Sequence, residues 1–100
     1  MTPRQRQQLK RLAHGLKPVV QVGGAGVTEA VIRVIAEAVY RHELIKVKLP
    51  KLDAASEREA MAADIVERSE ATLVQLLGRV VILYAARDKD LPGKPRIALG

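Results

Sequence analysis

The sequence predicts a single α/β (α+β) domain in which three helices pack on a four-stranded mixed sheet. Apolar residues at helical spacing alternate along the chain with short runs of β-branched residues, in the order α-β-α-β-α-β-β. The two strand–helix–strand connections are expected to be right-handed crossovers. A chain of 100 residues can build one core. We assign the domain to residues 1–87, and we expect residues 88–100, which contain Asp, Pro, Gly and Lys, to form a flexible C-terminal tail.

The first helix is expected to begin after Thr2. Thr2 can act as the N-cap, Pro3 suits the first helical position, and Gln5 completes a Thr-x-x-Gln capping box. Gly15 and Pro18 end the helix. Apolar residues at helical spacing form one stripe along it, namely Leu9, Leu12, Ala13 and Leu16. Residues 19–22 then predict a short strand.

The second helix is expected to begin after a glycine-rich segment, with Thr28 as its N-cap. Val27 before the cap and Ile32 in the first turns can pack together as a hydrophobic staple. The helix runs to about His42. Its buried stripe is expected to consist of Val31, Ile35, Ala38 and Val39.

Residues 44–49 alternate between apolar and polar side chains, which predicts a strand whose polar face carries Lys46 and Lys48. The third helix follows, and the Ser-x-x-Glu pattern of Ser56 and Glu59 predicts a second capping box at its start. Its apolar side is expected to contain Met61, Ala62, Ile65 and Val66.

Two strands at residues 72–77 and 80–84 are joined by Gly78 and Arg79, a pair that suits a type II′ hairpin. The second of these strands is almost continuously apolar. We therefore expect it to lie at the centre of the sheet, covered on both faces.

Composition excludes several classes of function. The chain has no Cys, so disulfide scaffolds, thiolate zinc sites and cysteine nucleophiles are excluded. The two histidines, His14 and His42, are far apart, and no nucleophile–base pair or metal-ligand set is recognisable, so we expect neither an enzyme nor a cofactor. No apolar run approaches the length of a membrane span, and the basic N-terminus lacks the apolar stretch of a secretory signal. The expected location is cytoplasmic.

Charge points to a polyanionic partner, most simply nucleic acid, because the formal net charge is +6 and the pI about 10.1. Residues 53–72 are the exception, with a net charge of −4, and are expected to face away from that partner. The aromatic residues are Tyr40 and Tyr84, too few for the stacking platforms that read single strands. Binding is therefore expected to address the backbone and shape of RNA or DNA.

A G-x-x-G loop, Gly23-Gly24-Ala25-Gly26, stands between the first strand and the second helix. Its small residues leave backbone N–H groups open, and the helix N-terminus adds partial positive charge, so the loop suits a phosphate. It matches neither a Walker loop nor a dinucleotide fingerprint. The alternative is that the glycines only form a turn.

Further candidate contacts are basic residues and the helix cap, namely Lys17, Thr28, Arg33, Lys46, Lys48, Arg79 and Arg87. The alternatives are that the two strand lysines only protect a sheet edge and that the other cations are solvated. Two other functions stay open: a DNA-binding or nucleoid protein, and a protein-interaction adaptor that uses the acidic third helix.

Four segments together carry a family resemblance: Leu-Lys-Pro-Val-Val at 16–20, the Gly23–Gly26 loop with Val-Thr-Glu at 27–29, His-Glu-Leu-Ile-Lys-Val-Lys at 42–48, and Gly-Arg-Val-Val-Ile-Leu-Tyr at 78–84. In this order they resemble the CRM domain (chloroplast RNA splicing and ribosome maturation), in its bacterial stand-alone YhbY-type form. The likeness spans roughly residues 4–87.

The resemblance implies an RNA-binding module with a fold similar to the C-terminal domain of translation initiation factor 3. It implies a role in ribosome assembly, with ribosomal RNA in large-subunit precursors as the partner. It also implies that the Gly23–Gly26 loop clamps RNA backbone, as the corresponding loop of KH domains does, with the neighbouring basic residues completing the surface. In one departure from the family pattern, Ala85 and Ala86 separate Arg87 from the final Leu-Tyr.

Overall fold

The computed structural model describes residues 1–88 and 90–100, and it confirms the predicted order of helices and strands and the four-stranded mixed sheet. The elements are α1 (Pro3–Ala13), β1 (Val20–Gln21), α2 (Glu29–His42), β2 (Leu44–Lys48), α3 (Ala55–Ser69), β3 (Thr72–Leu77) and β4 (Val80–Tyr84). No helix in these two ranges combines the length and the apolar character needed to cross a membrane.

The strands lie in the order β1-β2-β4-β3. β1 runs parallel to β2, and β4 runs antiparallel to both β2 and β3. The prediction that β4 is central is confirmed: Val81 and Leu83 contribute to one buried cluster, while Ile82 and Tyr84 contribute to another on the opposite face.

The two faces of the sheet carry different helices. The larger core cluster lies on the face covered by α2 and α3 and includes Ile35, Ile65 and Val47. The smaller cluster lies under α1, where Leu9 and Ala13 are fully buried. The other two residues of the predicted apolar stripe, Leu12 and Leu16, are 52% and 40% exposed, so the buried contact of α1 with the sheet consists of Leu9 and Ala13.

The starts of α1 and α2 are as predicted. Thr2 and Gln5 form the reciprocal capping box, in which each side chain accepts a hydrogen bond from the other residue's N–H. The Thr28 hydroxyl accepts a hydrogen bond from the Val31 N–H at 3.2 Å. Both caps depend on residues close in sequence, so the local pattern is sufficient to predict them.

The capping box predicted for α3 is wrong. The N-cap is Ala54, in an extended conformation and with no side-chain hydrogen bond, and Ser56 and Glu59 both lie inside the helix. Since Ser56 is already in the first turn, its hydroxyl is past the position from which a cap satisfies the free N–H groups. The helix ends at Glu70, whose φ of 60° is left-handed.

The hairpin between β3 and β4 turns at Gly78 and Arg79, with Leu77 paired to Val80. Gly78 has a φ of 59°, whereas Arg79 is not among the residues of positive φ. A positive φ at the first turn residue alone fits the predicted type II′ turn.

The outer edge of β3 is covered near its start. The register shifts between Leu73 and Gln75, so that Val74 forms a bulge. The Arg6 guanidinium on α1 donates hydrogen bonds to the carbonyl oxygens of Leu73 and Val74, at 2.6 and 2.9 Å. A cation on α1 thus occupies two acceptors beside the bulge.

The C-terminal segment runs back over the α1 side of the sheet. Leu91 and Lys94 form a small bridge, and Ile97 and Leu99 pack against the smaller cluster. The Gly100 N–H donates to the Gln8 side-chain oxygen. The flexibility expected for residues 88–100 stays a prediction.

Candidate nucleic-acid interface

One end of the sheet gathers most of the predicted contacts. β1 and β2 finish there side by side, since Gln21 pairs with Lys48 and Lys48 pairs in turn with Val80. The hairpin residue Arg79 lies next to them, and its carbonyl accepts the Leu49 N–H at 2.7 Å. We call this region, made up of Gly23–Gly26, Thr28, Lys48 and Arg79, the loop end.

The loop itself is held by few bonds of its own. The Gly26 N–H donates to the Gly23 carbonyl at 3.0 Å, and the Thr28 N–H donates to the Gly26 carbonyl at 3.1 Å. The N–H groups of Gly24 and Ala25, both exposed, find no acceptor in the described ranges of the chain. Two main-chain donors in exposed residues near the start of α2 are therefore left without a partner in the described part of the chain.

The backbone conformation requires glycine at only one of the three glycine positions in the loop. Gly26 has a φ of +79°, a conformation that favours glycine. Gly23 and Gly24 have no positive φ, and beyond the adjacent residues a Cβ added at either would meet nothing within 4 Å. The geometry of the turn requires a glycine at position 26 but not at positions 23 and 24. The alternative that the glycines only form a turn therefore accounts for Gly26 alone.

Arg68 on α3 holds the end of the loop, and the sequence analysis did not identify this residue. Its guanidinium donates to the Val27 carbonyl at 2.7 Å and pairs with Asp64 at 3.3 Å. The residue lies in the segment that was predicted to face away because of its net charge. The i,i+4 spacing of Asp64 and Arg68 is a signal from which their ion pair could have been predicted, but no local pattern indicates the contact with Val27, 41 residues away.

Lys48 and Arg79 supply the positive charge at the loop end. Lys48 is half-buried at the end of β2, and Arg79 is exposed at the hairpin. The Arg79 Nε donates to the Leu49 carbonyl at 3.3 Å, which holds its guanidinium beside the end of β2. These side chains, the outward N–H groups and the start of α2 together suit an extended anion.

Three other predicted contacts lie elsewhere. Lys17 is exposed in the α1–β1 connection, at the opposite end of β1 from the loop. Lys46 shares the α1 face of the sheet with Lys48, but its ammonium donates to the Leu16 carbonyl at 3.0 Å. Arg33 is exposed on α2. The structure thus spreads the predicted cations over both ends of the sheet.

Arg87 is not an accessible contact, and its prediction as one is wrong. Its side chain is 1% exposed. The guanidinium donates to the carbonyls of Tyr40, Arg41 and Lys94 and lies 3.8 Å from the Glu43 carboxylate. A guanidinium spent on these acceptors holds the chain together and presents no donor to a ligand.

His42 is the last residue of α2, where the sequence predicted the helix to end. Its Nδ1 lies 3.0 Å from the Lys94 ammonium, which places a donor opposite the unprotonated ring nitrogen. Burial, and then the charges of Lys94, Arg41 and Arg87, lower the pKa of His42. Within residues 1–88 and 90–100 no three His, Asp or Glu side chains cluster in a way that could hold a metal ion.

Comparison with known proteins relates this arrangement to bacterial relatives. The chain is 40% identical over 96 residues to an RNA-binding protein of Haemophilus influenzae, covering 96% of both chains. It is 37% identical over 84 residues to a protein of Bacillus subtilis named probable RNA-binding protein YqeI, covering 84% of this chain and 86% of that one.

A solved structure has the same fold. The solution structure of a Staphylococcus aureus protein, 27% identical, superposes with a TM-score of 0.80 over 100% of this chain and 99% of that one. The family description of the CRS1/YhbY (CRM) domain matches residues 1–85. The range includes the loop, both strand lysines and the hairpin arginine, and it ends before the buried Arg87. The chain therefore belongs to the CRS1/YhbY (CRM) domain family.

Proposed function

We propose that this chain is a cytoplasmic RNA-binding protein that acts in assembly of the large ribosomal subunit. It would hold structured ribosomal RNA in subunit precursors by the backbone, at the loop end. RNA is the ligand class because the relatives from Haemophilus influenzae and Bacillus subtilis are named RNA-binding proteins. Ribosome assembly rests on the family resemblance.

The observation that carries the proposal is the open space above Gly23 and Gly24. No backbone requirement and no neighbouring atom explains two residues without side chains at these positions. Close approach of a ligand's backbone does explain them, because a Cβ there would stand between the ligand and the exposed N–H groups. Lys48 and Arg79 lie at the same end of the sheet as the loop, where they add positive charge.

The test places negative charge in the loop. The double variant Gly24→Asp/Ala25→Asp is expected to weaken binding to structured ribosomal RNA by at least about tenfold, because each carboxylate near a phosphate costs on the order of 1 kcal/mol or more. Both positions are exposed and have no positive φ, so the melting temperature should change little. Filter binding and co-sedimentation with large-subunit precursors measure the effect.

Gly24→Ala is the matched control, since it adds a methyl group without charge. A modest loss of affinity is expected if the RNA backbone approaches closely. Parental affinity of a folded double Asp variant would show that the loop is only a turn. Duplex DNA at equal salt is the second ligand, and equal or tighter binding to it would favour a DNA-binding protein instead.

A further inference from the structure

A groove on the α1 side of the sheet, at the end opposite the loop, has no role in the proposed RNA contact. It encloses about 560 Å³, within the size range of ligand sites of roughly 300 to 1,000 Å³. Its apolar walls include Leu12, Leu16 and Val19, which are about half exposed, together with Leu44 and Ile97. Exposed apolar side chains that cluster around a concave surface mark an interaction site.

The charged residues that line the groove are cationic. They are Lys17 and Lys94, and among residues 1–88 and 90–100 no Asp or Glu lines it. His42 also lines it, and the lowered pKa of this residue favours the neutral ring. Lys46 binds the Leu16 carbonyl, which fixes the main chain of one wall. The groove is therefore lined mainly by apolar side chains, with two cations among them.

This combination does not suit RNA. A nucleobase gains most from aromatic stacking, and neither Tyr40 nor Tyr84 lines the groove, while the polyanionic RNA backbone gains nothing from its apolar walls. Nor does it suit the acidic helix of a second copy, because the apolar residues of α3, such as Ala62 and Ile65, are already buried against the sheet. The exposed side of α3 would bring carboxylates but no bulky apolar side chain.

We propose that the groove between the end of α1, the α1–β1 connection and the C-terminal segment binds an acidic amphipathic segment of a protein partner. Its bulky apolar side chains would pack against the walls formed by Leu12, Leu16 and Val19. Its carboxylates would meet Lys17 and Lys94. The site is separate from the loop end and does not depend on the proposed RNA contact.

The test is a peptide-display selection on the full chain, with a library of random peptides of about 16 residues, roughly four helical turns. Counter-selection uses the variant Leu12→Ser/Leu16→Ser, whose two substitutions lie at exposed positions outside the core. We expect enriched sequences that combine bulky apolar residues with Asp or Glu. Enrichment of uncharged or basic sequences, or none that depends on these leucines, overturns the proposal.

Affinities of an enriched peptide supply the controls. Lys17→Glu should weaken binding at least about tenfold, which corresponds to ~1.4 kcal/mol. Leu77→Ser and Lys51→Glu remove an exposed leucine and a lysine outside the groove and should leave peptide affinity unchanged.

RNA binding separates this proposal from the previous one. The Leu12→Ser/Leu16→Ser variant should keep parental RNA affinity, and a loss would assign the groove to the RNA surface instead. The Gly24→Asp/Ala25→Asp variant should keep parental peptide affinity whether or not its RNA binding changes.

Discussion

Glu43 is the single residue between α2 and β2. Its φ is 64°, and it is only 1% exposed to solvent. Its carboxylate accepts hydrogen bonds from the main-chain N–H groups of Arg87 and Ile97, and it faces the Arg87 guanidinium. One buried carboxylate thus joins the end of α2, the segment after β4 and the C-terminal segment. The positive φ costs free energy that these contacts offset.

Replacing Arg87 should therefore affect stability first. Arg87→Met removes one partner of a buried pair, which costs about 3 to 5 kcal/mol because the buried Glu43 carboxylate loses its counter-charge and keeps only its main-chain hydrogen bonds. Urea denaturation measures this loss. The double variant Glu43→Gln/Arg87→Met should recover part of it. If Arg87→Met keeps parental stability but binds RNA more weakly, Arg87 is part of the RNA interface after all.

Sequence reasoning could not place Arg87, for a physical reason. Its partners are Glu43, 44 residues away, and carbonyl oxygens that any sequence would supply. The loop and its helix cap, in contrast, consist of consecutive residues, so their geometry follows from local chemistry. Contacts between distant segments leave no such pattern, and the same holds for Arg68.

In the helices, too, features set by residues close in sequence were predicted, and features set by contacts between distant segments were not. The caps of α1 and α2 were predicted because Thr2 and Thr28 act on N–H groups three residues away. The start of α3 was predicted wrongly, because Ala54 begins the helix without a side-chain hydrogen bond and leaves no cap pattern in the sequence. Burial of Ala62 and Ile65 against the sheet stabilises this helix in place of a cap.

The end of α2 should make stability depend on pH. The lowered pKa of His42 means that the unfolded chain takes up a proton at a higher pH than the folded chain does. The stability linked to the neutral ring is present above pH ~6.5, the ordinary histidine value, and is lost as the pH falls towards the lowered pKa. Melting temperatures between these limits should fall more steeply for the parent than for His42→Gln.

His14→Gln is the matched control for this comparison, because it removes an exposed imidazole one residue beyond α1. It should keep the parental slope of melting temperature against pH. Equal slopes for the parent and His42→Gln would show that neither burial nor the neighbouring charge of Lys94 favours the neutral ring.

The charge of the whole molecule is unevenly placed, with the acidic stretch of residues 53–72 in an otherwise basic chain. RNA affinity should fall steeply with salt, and each lost phosphate contact should lower the log–log slope by roughly 0.7 to 0.9. Lys48→Ala/Arg79→Ala should therefore reduce the slope of a salt titration.

The acidic stretch is tested by Glu67→Gln/Glu70→Gln, which should leave RNA affinity and the slope nearly unchanged. A flat titration of the parent would exclude a phosphate-directed contact.

The contact between Arg6 and the bulge in β3 bears on how the protein behaves at high concentration. A sheet can grow from molecule to molecule only along an edge whose main-chain groups are free to pair. At one edge Arg6 occupies the carbonyls of Leu73 and Val74. At the other edge, β1 offers only two residues. Both features oppose strand-by-strand polymerisation, and the one at β3 depends on a cationic side chain from α1.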